Sequence, residues 1–367
     1  MFNRGHWKKL VLTDDGQPDI GAKSQKGEPG YGLNGADEKT FATDFLTDRA
    51  LEFMQPVADE NRPFFLVVSL PDPHGPNTVR SPYDTRFSGM RFLPPRTFQT
   101  GAETPGWLGA GEGHPVFRGQ EMAKYFGMVQ CIDDNIGRMI AALKDSGQFD
   151  RTLILLTSDH GDLCYEHDRL NKGNPYEGSA RVPFVARFPG RLKQGQVYSD
   201  PVGTVDITPT VMGLLNLPAN PDDEGRDLSS DFTASESASS AADAGRTIFL
   251  RNAGRTAQWV AAVNARYKLI LSVGDEPWLF DQQQDPDELI NFYRRPDTSD
   301  VTESLARELL EYGKRTTDPY VSAPGIADSL AAILNQPVPK TDSTESPQKK
   351  TPQRKRRKQA APDDRSE

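Results

Sequence analysis

The chain has 367 residues, 36% of them hydrophobic, enough for one large α/β domain with a smaller one beside it and for a packed core. Its 43 Lys and Arg against 52 Asp and Glu leave a formal net charge of -9, which argues against general nucleic-acid binding. No stretch approaches the roughly 18 consecutive apolar residues of a membrane span, and the 2 cysteines are too few for a disulfide framework.

Residues 1–36, rich in Gly, Lys and Asp without periodicity, read as an irregular lead-in. Residues 1–20, with Asn3, Arg4, Asp14 and Asp15, lack the apolar centre of a signal peptide. From Asp37 the pattern changes: Phe41, Phe45, Leu46, Arg49, Leu51, Phe53 and Met54 predict an amphipathic helix capped by Asp37 or Thr40. FFLVVSL at 64–70 predicts a buried strand, whose end delivers His74 into a Pro-flanked loop. Residues 75–118, with many Pro and Gly and scattered aromatics, predict a long substrate-side loop. Met122, Tyr125, Phe126, Val129, Ile132, Ile136, Met139, Ile140 and Leu143 then recur at three- and four-residue steps, the stripe of a long helix lying on a sheet. Cys131 falls within that stripe and reads as a buried core thiol.

Strand 152–157 carries the aliphatic run Leu153 to Leu156, which suits a strand buried on both faces of a parallel sheet. Ser158, Asp159, His160 and Gly161 follow at its carboxyl end, where open α/β sheets bind ligands. The Asp159 carboxylate and the His160 imidazole can face one divalent cation, while Gly161 lets the backbone turn away. Lys172, between Asn171 and Gly173, offers a compact positive charge to an anionic oxygen. Spacing alone equally allows a helix cap at Asp159 and two surface side chains at His160 and Lys172. Cys164, two residues before Glu166, lies close to this segment.

Val182 to Phe188 predicts another strand, stopped by Pro189-Gly190, and 207–217 a short helix. Residues 222–245 are Ser, Ala and Asp rich, the composition of an exposed insertion. Strands at 247–251, 257–263 and 267–272 with a helix at about 300–313 predict a small antiparallel subdomain over 246–322. The tail 337–367 is polar and basic and is expected to be disordered. Lys349, Lys350 and the run Arg354 to Lys358 suit either a polyanion such as a sulfated polysaccharide or a solvated tail without a partner.

SDHG at 158–161, EHDRLNKG at 166–173 and PYEGSARVPFVARFPG at 175–190 resemble, in this order, strings of the sulfatase family in the alkaline phosphatase superfamily. DPHGP at 72–76 looks like the family's histidine-proline loop, and AKYFGMVQCIDDNIGRMIAAL at 123–143 like the helix before its metal-binding strand. VDITPTVMGLLNLP at 205–218 and YKLILSVGDEPWLFDQQQDPDELINFY at 267–293 match later family signatures, so the resemblance spans roughly residues 40 to 315. It implies an α/β fold: a partial alkaline-phosphatase-like sandwich with a mixed, largely parallel sheet between helices over 37–221, and the small C-terminal α+β subdomain after it.

By this similarity Asp159 and His160 match the family's metal pair, usually for calcium, although histidine leaves magnesium, manganese or zinc open. Lys172 matches the lysine that contacts sulfate, and His74 the loop histidine that contacts sulfate or protonates the leaving oxygen; a ring packed between Pro73 and Pro76 is the structural alternative. Family sulfatases convert a Cys or Ser in Cys/Ser-x-Pro-x-Arg to formylglycine, the nucleophile, and no such string occurs here. KKLVLTDDG at 8–16 superficially resembles the family's first strand with two metal aspartates, but about twenty residues separate Asp15 from Asp37, so Asp14-Asp15 reads as a polar turn. The expectation is therefore a sulfuric ester hydrolase of sulfated small molecules or polysaccharides in N-terminally truncated or inactive form. A phosphodiesterase or phosphatase of the same superfamily and a non-catalytic sulfated-glycan binding protein are the alternatives. The family is often exported, which sits at odds with the polar first 20 residues.

Overall fold

The computed structural model of the chain describes residues 8–19, 36–60, 62–108, 115–234, 246–252 and 254–335. In chain order it forms α1 (Ala42–Asp59), α2 (Tyr83–Arg86), α3 (Gly119–Asp145), β1 (Ile154–Thr157), α4 (Glu177–Ala180) and β2 (Phe184–Arg187). Then come α5 (Ile207–Leu214), α6 (Ser229–Thr233), β3 (Ile248–Arg251), β4 (Trp259–Val263), β5 (Tyr267–Ser272), β6 (Trp278–Asp281), α7 (Ser299–Thr316) and α8 (Ile326–Ile333). The expected basic tail 337–367 and residues 235–245 of the expected insertion lie outside the described residues.

The apolar stripes of α1 and α3 meet as their periodicity requires, with Phe41, Val79, Met128 and Cys131 buried between them. Neither Asp37 nor Thr40 caps α1. Phe41 stands at the N-cap without a side-chain bond, and Asp37 closes the preceding turn by accepting from the Lys39 and Thr40 amides at 3.1 and 3.0 Å. Arg80 forks onto the buried carboxylate of Asp44 in α1 at 2.7 and 2.8 Å, which ties the loop after His74 to the helix pair. The lead-in is partly structured. Lys8 and Leu10 are buried, the Leu10 amide bonds the Thr40 carbonyl at 2.7 Å, and Asp14 and Asp15 form an exposed turn spanned by the Thr13 amide on the Gln17 carbonyl at 2.8 Å.

Two strand expectations need correction. Residues 64–70 are extended but join no sheet, and no backbone hydrogen bond links 63–70 to another described residue. Their exposure alternates, with Phe65 80% and Val67 71% exposed, so the run has one covered face and two open edges. β1 is likewise not a doubly buried parallel strand. It pairs antiparallel with β2 from Ile154↔Arg187 to Thr157↔Phe184, leaving Leu156 41% and Val185 58% exposed. Among the described residues both sheets are antiparallel; the expected largely parallel sheet is absent because 64–70 and β1 find no parallel neighbour there. Open apolar edges promote self-association. Phe65→Lys with Val67→Lys is expected to raise the monomer fraction in light scattering while changing unfolding stability by no more than about 0.5 kcal/mol, since both side chains face solvent.

The C-terminal sheet has four strands, not three, in the order β3-β4-β5-β6 and antiparallel throughout; α8, also unanticipated, joins α7 on one face. Period-two alternation divides its side chains cleanly. Val260, Ala262, Leu269, Leu271 and Leu279 pack with Leu305, Leu309 and Leu330 of α7 and α8. Trp259, Ala261, Val263, Ile270, Trp278 and Phe280 face the other way, onto Trp107, Leu163 and Tyr176. Those last residues come from the loops around 107 and 163–176, so the segment suspected of chemistry forms the second cover of this sheet.

Candidate active site

β1 ends at Thr157 and the chain turns at once. The Ser158 hydroxyl donates to the His160 carbonyl at 2.8 Å, and the His160 amide donates to Asp159 Oδ1 at 2.9 Å. His160 Nδ1 lies 2.8 Å from the Gly161 carbonyl, which only accepts, so Nδ1 carries the proton and Nε2 presents its lone pair. That Nε2 stands 3.5 Å from Asp159 Oδ2. A carboxylate 85% exposed and an imidazole 37% exposed at this separation are placed so that both could face one cation. The donor chemistry fits a divalent ion, but among the described residues no group of three His, Cys, Asp or Glu comes together, and Asp14 and Asp15 remain on their exposed turn. No helix follows Asp159 directly, so it caps none.

The strand end passes α4 at backbone contact. A Cβ on Gly161 would lie 2.2 Å from the Gly178 carbonyl, so that position requires glycine, while one on Gly178 would lie 2.3 Å from Glu166 Oε2 and push that side chain aside. Between them the loop holds Cys164, Tyr165, His167, Asp168 and Asn171 at positive φ. Such a run persists only where surrounding contacts over-determine it, and here they do. The Leu163 amide bonds Asn171 O at 2.8 Å, the His167 amide bonds Thr97 Oγ1 at 3.1 Å, and the His167 ring stacks on Tyr176 at 3.5 Å. Burial pushes the Cys164 thiol up to about 12, with Asp162 adding to the shift, so it is no reactive thiolate at neutral pH.

Lys172 leaves this loop and meets His74, 98 residues away in sequence: Nζ lies 2.7 Å from Nε2. His74 repeats the arrangement of His160, with Nδ1 2.7 Å from the Gly75 carbonyl, so its Nε2 accepts from the ammonium. His74 is thus a polar participant rather than a ring wedged between prolines. Behind it, Asp72 is buried against the Lys8 ammonium and the Thr43 hydroxyl. Behind Lys172, the fully buried Lys268 donates to the Pro175 carbonyl at 2.8 Å, Glu177 at 2.6 Å and Glu288 at 2.8 Å. Burial alone would depress this ammonium, but the two carboxylates outweigh it and hold it above its ordinary value.

Ser179 links the two suspected pairs: its carbonyl accepts from the Gly161 amide at 2.8 Å and its hydroxyl from the Gly173 amide at 3.0 Å. Sequence reasoning missed Ser179, Lys8 and Lys268. For Lys268 a signal existed, a charge sharing a strand face with Ile270; for Lys8 and Ser179 none did.

The same loop sets a pH dependence. Burial depresses the His167 imidazole to about 4 from its ordinary 6.5. The unfolded chain therefore takes up this proton first, so stability falls between pH 6.5 and about 4, by roughly 2–3 kcal/mol from this group. Burial raises the Glu166 carboxyl and works in the opposite sense, so the contrast with His167→Gln is the clean readout. The unaltered chain should lose more of its urea midpoint between pH 7 and pH 4.5 than that variant.

The sulfatase family model matches residues 14–217, starting before the residue 40 at which the motifs begin, and the C-terminal model of N-sulphoglucosamine sulphohydrolase matches 165–315. An arylsulfatase of Clostridium perfringens is 27% identical over 288 residues, covering 76% of this chain; the chain spans 59% of that relative's length. Among solved structures, a protein in complex with its substrate D-glucosamine-2-N,6-O-disulfate superposes with a TM-score of 0.67 at 20% identity, covering 76% of this chain and 70% of that one. The phosphonate monoester hydrolase of Silicibacter pomeroyi gives 0.64 at 24% identity, covering 85% and 68%.

Proposed function

The chain belongs to the sulfatase family, hydrolases of sulfate esters, and on that premise we propose that it carries the sulfate-holding part of a metal-dependent sulfuric ester hydrolase acting on sulfated carbohydrate. The contact between Lys172 Nζ and His74 Nε2 at 2.7 Å carries this reading, because it joins a permanent cation to a proton-transfer group from two distant segments. Lys172 has three hydrogens, and one already points at His74, which leaves the others for sulfonate oxygens. His74, its Nδ1 proton pinned by Gly75, takes or gives a proton only at Nε2, the atom facing the same space as the ammonium. A proton taken up at Nε2, in place of the hydrogen bond from Lys172, would be the one it supplies to the alcohol oxygen as the S–O bond breaks. Asp159 and His160 would hold the divalent ion, calcium by resemblance, whose charge would offset that on the sulfate oxygens.

The attacking group is not among these 367 residues, which contain no Cys/Ser-x-Pro-x-Arg string. The chain as given is therefore expected to bind sulfate without turning over an aryl sulfate. Calorimetry with calcium present should show sulfate binding that Lys172→Ala weakens strongly but measurably, while Asp159→Asn with His160→Ala weakens calcium binding. Sulfate affinity untouched by Lys172→Ala would contradict the reading, and turnover by the purified chain would contradict the missing nucleophile. A second reading, a phosphate or phosphonate ester hydrolase, is favoured by the phosphonate monoester hydrolase superposition. Tighter binding of methylphosphonate than of sulfate would select it.

A further inference from the structure

Lysine is a long, freely rotating side chain, so its aim depends on how firmly its backbone is held. At Lys172 that restraint falls on the next residue. The Gly173 amide donates to Ser179 Oγ at 3.0 Å, and the Gly173 carbonyl accepts from Trp259 Nε1 at 3.3 Å. The two peptide groups flanking Gly173 are thus fixed from opposite sides, one by α4 and one by β4. Gly173 itself has φ +93 with nothing near its missing Cβ, so without those bonds the backbone there is free to swing. Both anchors are buried: Ser179 is 3% and Trp259 4% exposed.

Trp259 lies on the sheet face that packs against Tyr176, and Lys268 holds the Pro175 carbonyl two residues beyond Gly173. The C-terminal sheet therefore reaches the Lys172 segment at two points, although it supplies no group to the Lys172–His74 contact. We propose that Ser179 and Trp259 are positioning residues that aim Lys172 at a bound oxyanion, so that the C-terminal sheet sets oxyanion affinity. The inference rests on the reading of Lys172 and His74 as the sulfate-holding pair. It assigns roles to two residues that touch neither substrate nor metal.

Ser179→Ala removes only the hydroxyl, and Trp259→Phe removes the indole donor while keeping an aromatic ring in the cluster. In the full 367-residue chain, sulfate titrated by calorimetry with calcium present should bind about three- to tenfold more weakly to either variant, the effect of one lost hydrogen bond. Ser179→Thr, which keeps the hydroxyl, should restore the affinity. Calcium affinity should stay within about twofold in Ser179→Ala, because the Ser179 carbonyl still receives the Gly161 amide. The His74 ring resonances of both variants should move toward those of Lys172→Ala, a signature that loss of packing elsewhere would not produce. If both variants bind sulfate as the unaltered chain does while Lys172→Ala binds it much more weakly, the positioning role is overturned and the oxyanion site stands. If the unaltered chain binds no sulfate, the underlying reading falls and the inference with it.

Discussion

Replacing Lys268 by Met is expected to destabilise the protein by about 3–5 kcal/mol in urea unfolding, one of the two largest effects expected outside the site. The ammonium is fully buried on the β5 face that looks toward α4, and it is the shared partner of Glu177 and Glu288, the latter also buried. Removing it leaves the buried Glu288 carboxylate beside that of Glu177, with the Glu177 amide, 2.7 Å from Glu288 Oε2, and the Arg181 guanidinium, 3.8 Å from Glu177 Oε2, as the remaining partners. The Pro175 carbonyl loses its donor at the same time. Adding Glu288→Gln to Lys268→Met removes one of the stranded charges and should recover at least about 1 kcal/mol. No loss on Lys268→Met would mean that the sheet and the Lys172 loop are not joined there.

Lys8→Met should cost a comparable 3–5 kcal/mol, about the usual effect of breaking a buried pair. Lys8 and Asp72 both have fully buried side chains, and without the ammonium Asp72 keeps only the Thr43 hydroxyl. Methionine fills nearly the same volume beside Met128, whose sulfur lies 3.1 Å from Lys8 Nζ, so the loss reports charge rather than packing. Asp72→Asn in the Lys8→Met background should recover part of it. Because Asp72 stands two residues before His74, the pair also anchors the histidine side of the site, as Lys268 anchors the lysine side.

The motif strings at 72–76, 158–161 and 166–173 were legible because each packs several constrained positions into a short run: the glycine at 161 is forced by a backbone contact of 2.2 Å. Resemblance gave His74 and Lys172 each a sulfate contact without pairing them, and the structure brings them to 2.7 Å. Strand partners were not legible. A short aliphatic run signals burial without saying what covers it, so 64–70 and β1 were read as sheet interior, whereas the described residues give the first no partner and the second an antiparallel one. β6 escaped notice as four residues between Pro277 and Gln282, and α8 as a short helix beyond the expected subdomain 246–322, although Ile326, Leu330 and Leu334 recur at four-residue steps. Buried ion pairs such as Lys8–Asp72 join residues 64 apart, and no local pattern marks them.

The claim that Lys172 and His74 act together on one oxyanion is tested most directly by a double-mutant cycle, Lys172→Ala and His74→Ala alone and combined, read as sulfate affinity with calcium present. Side chains in contact at 2.7 Å that share a ligand should be coupled by at least about 1 kcal/mol, so the double variant should lose clearly less than the sum of the single losses. Losses that add to within about 0.5 kcal/mol would show that the two residues act independently and would contradict the account.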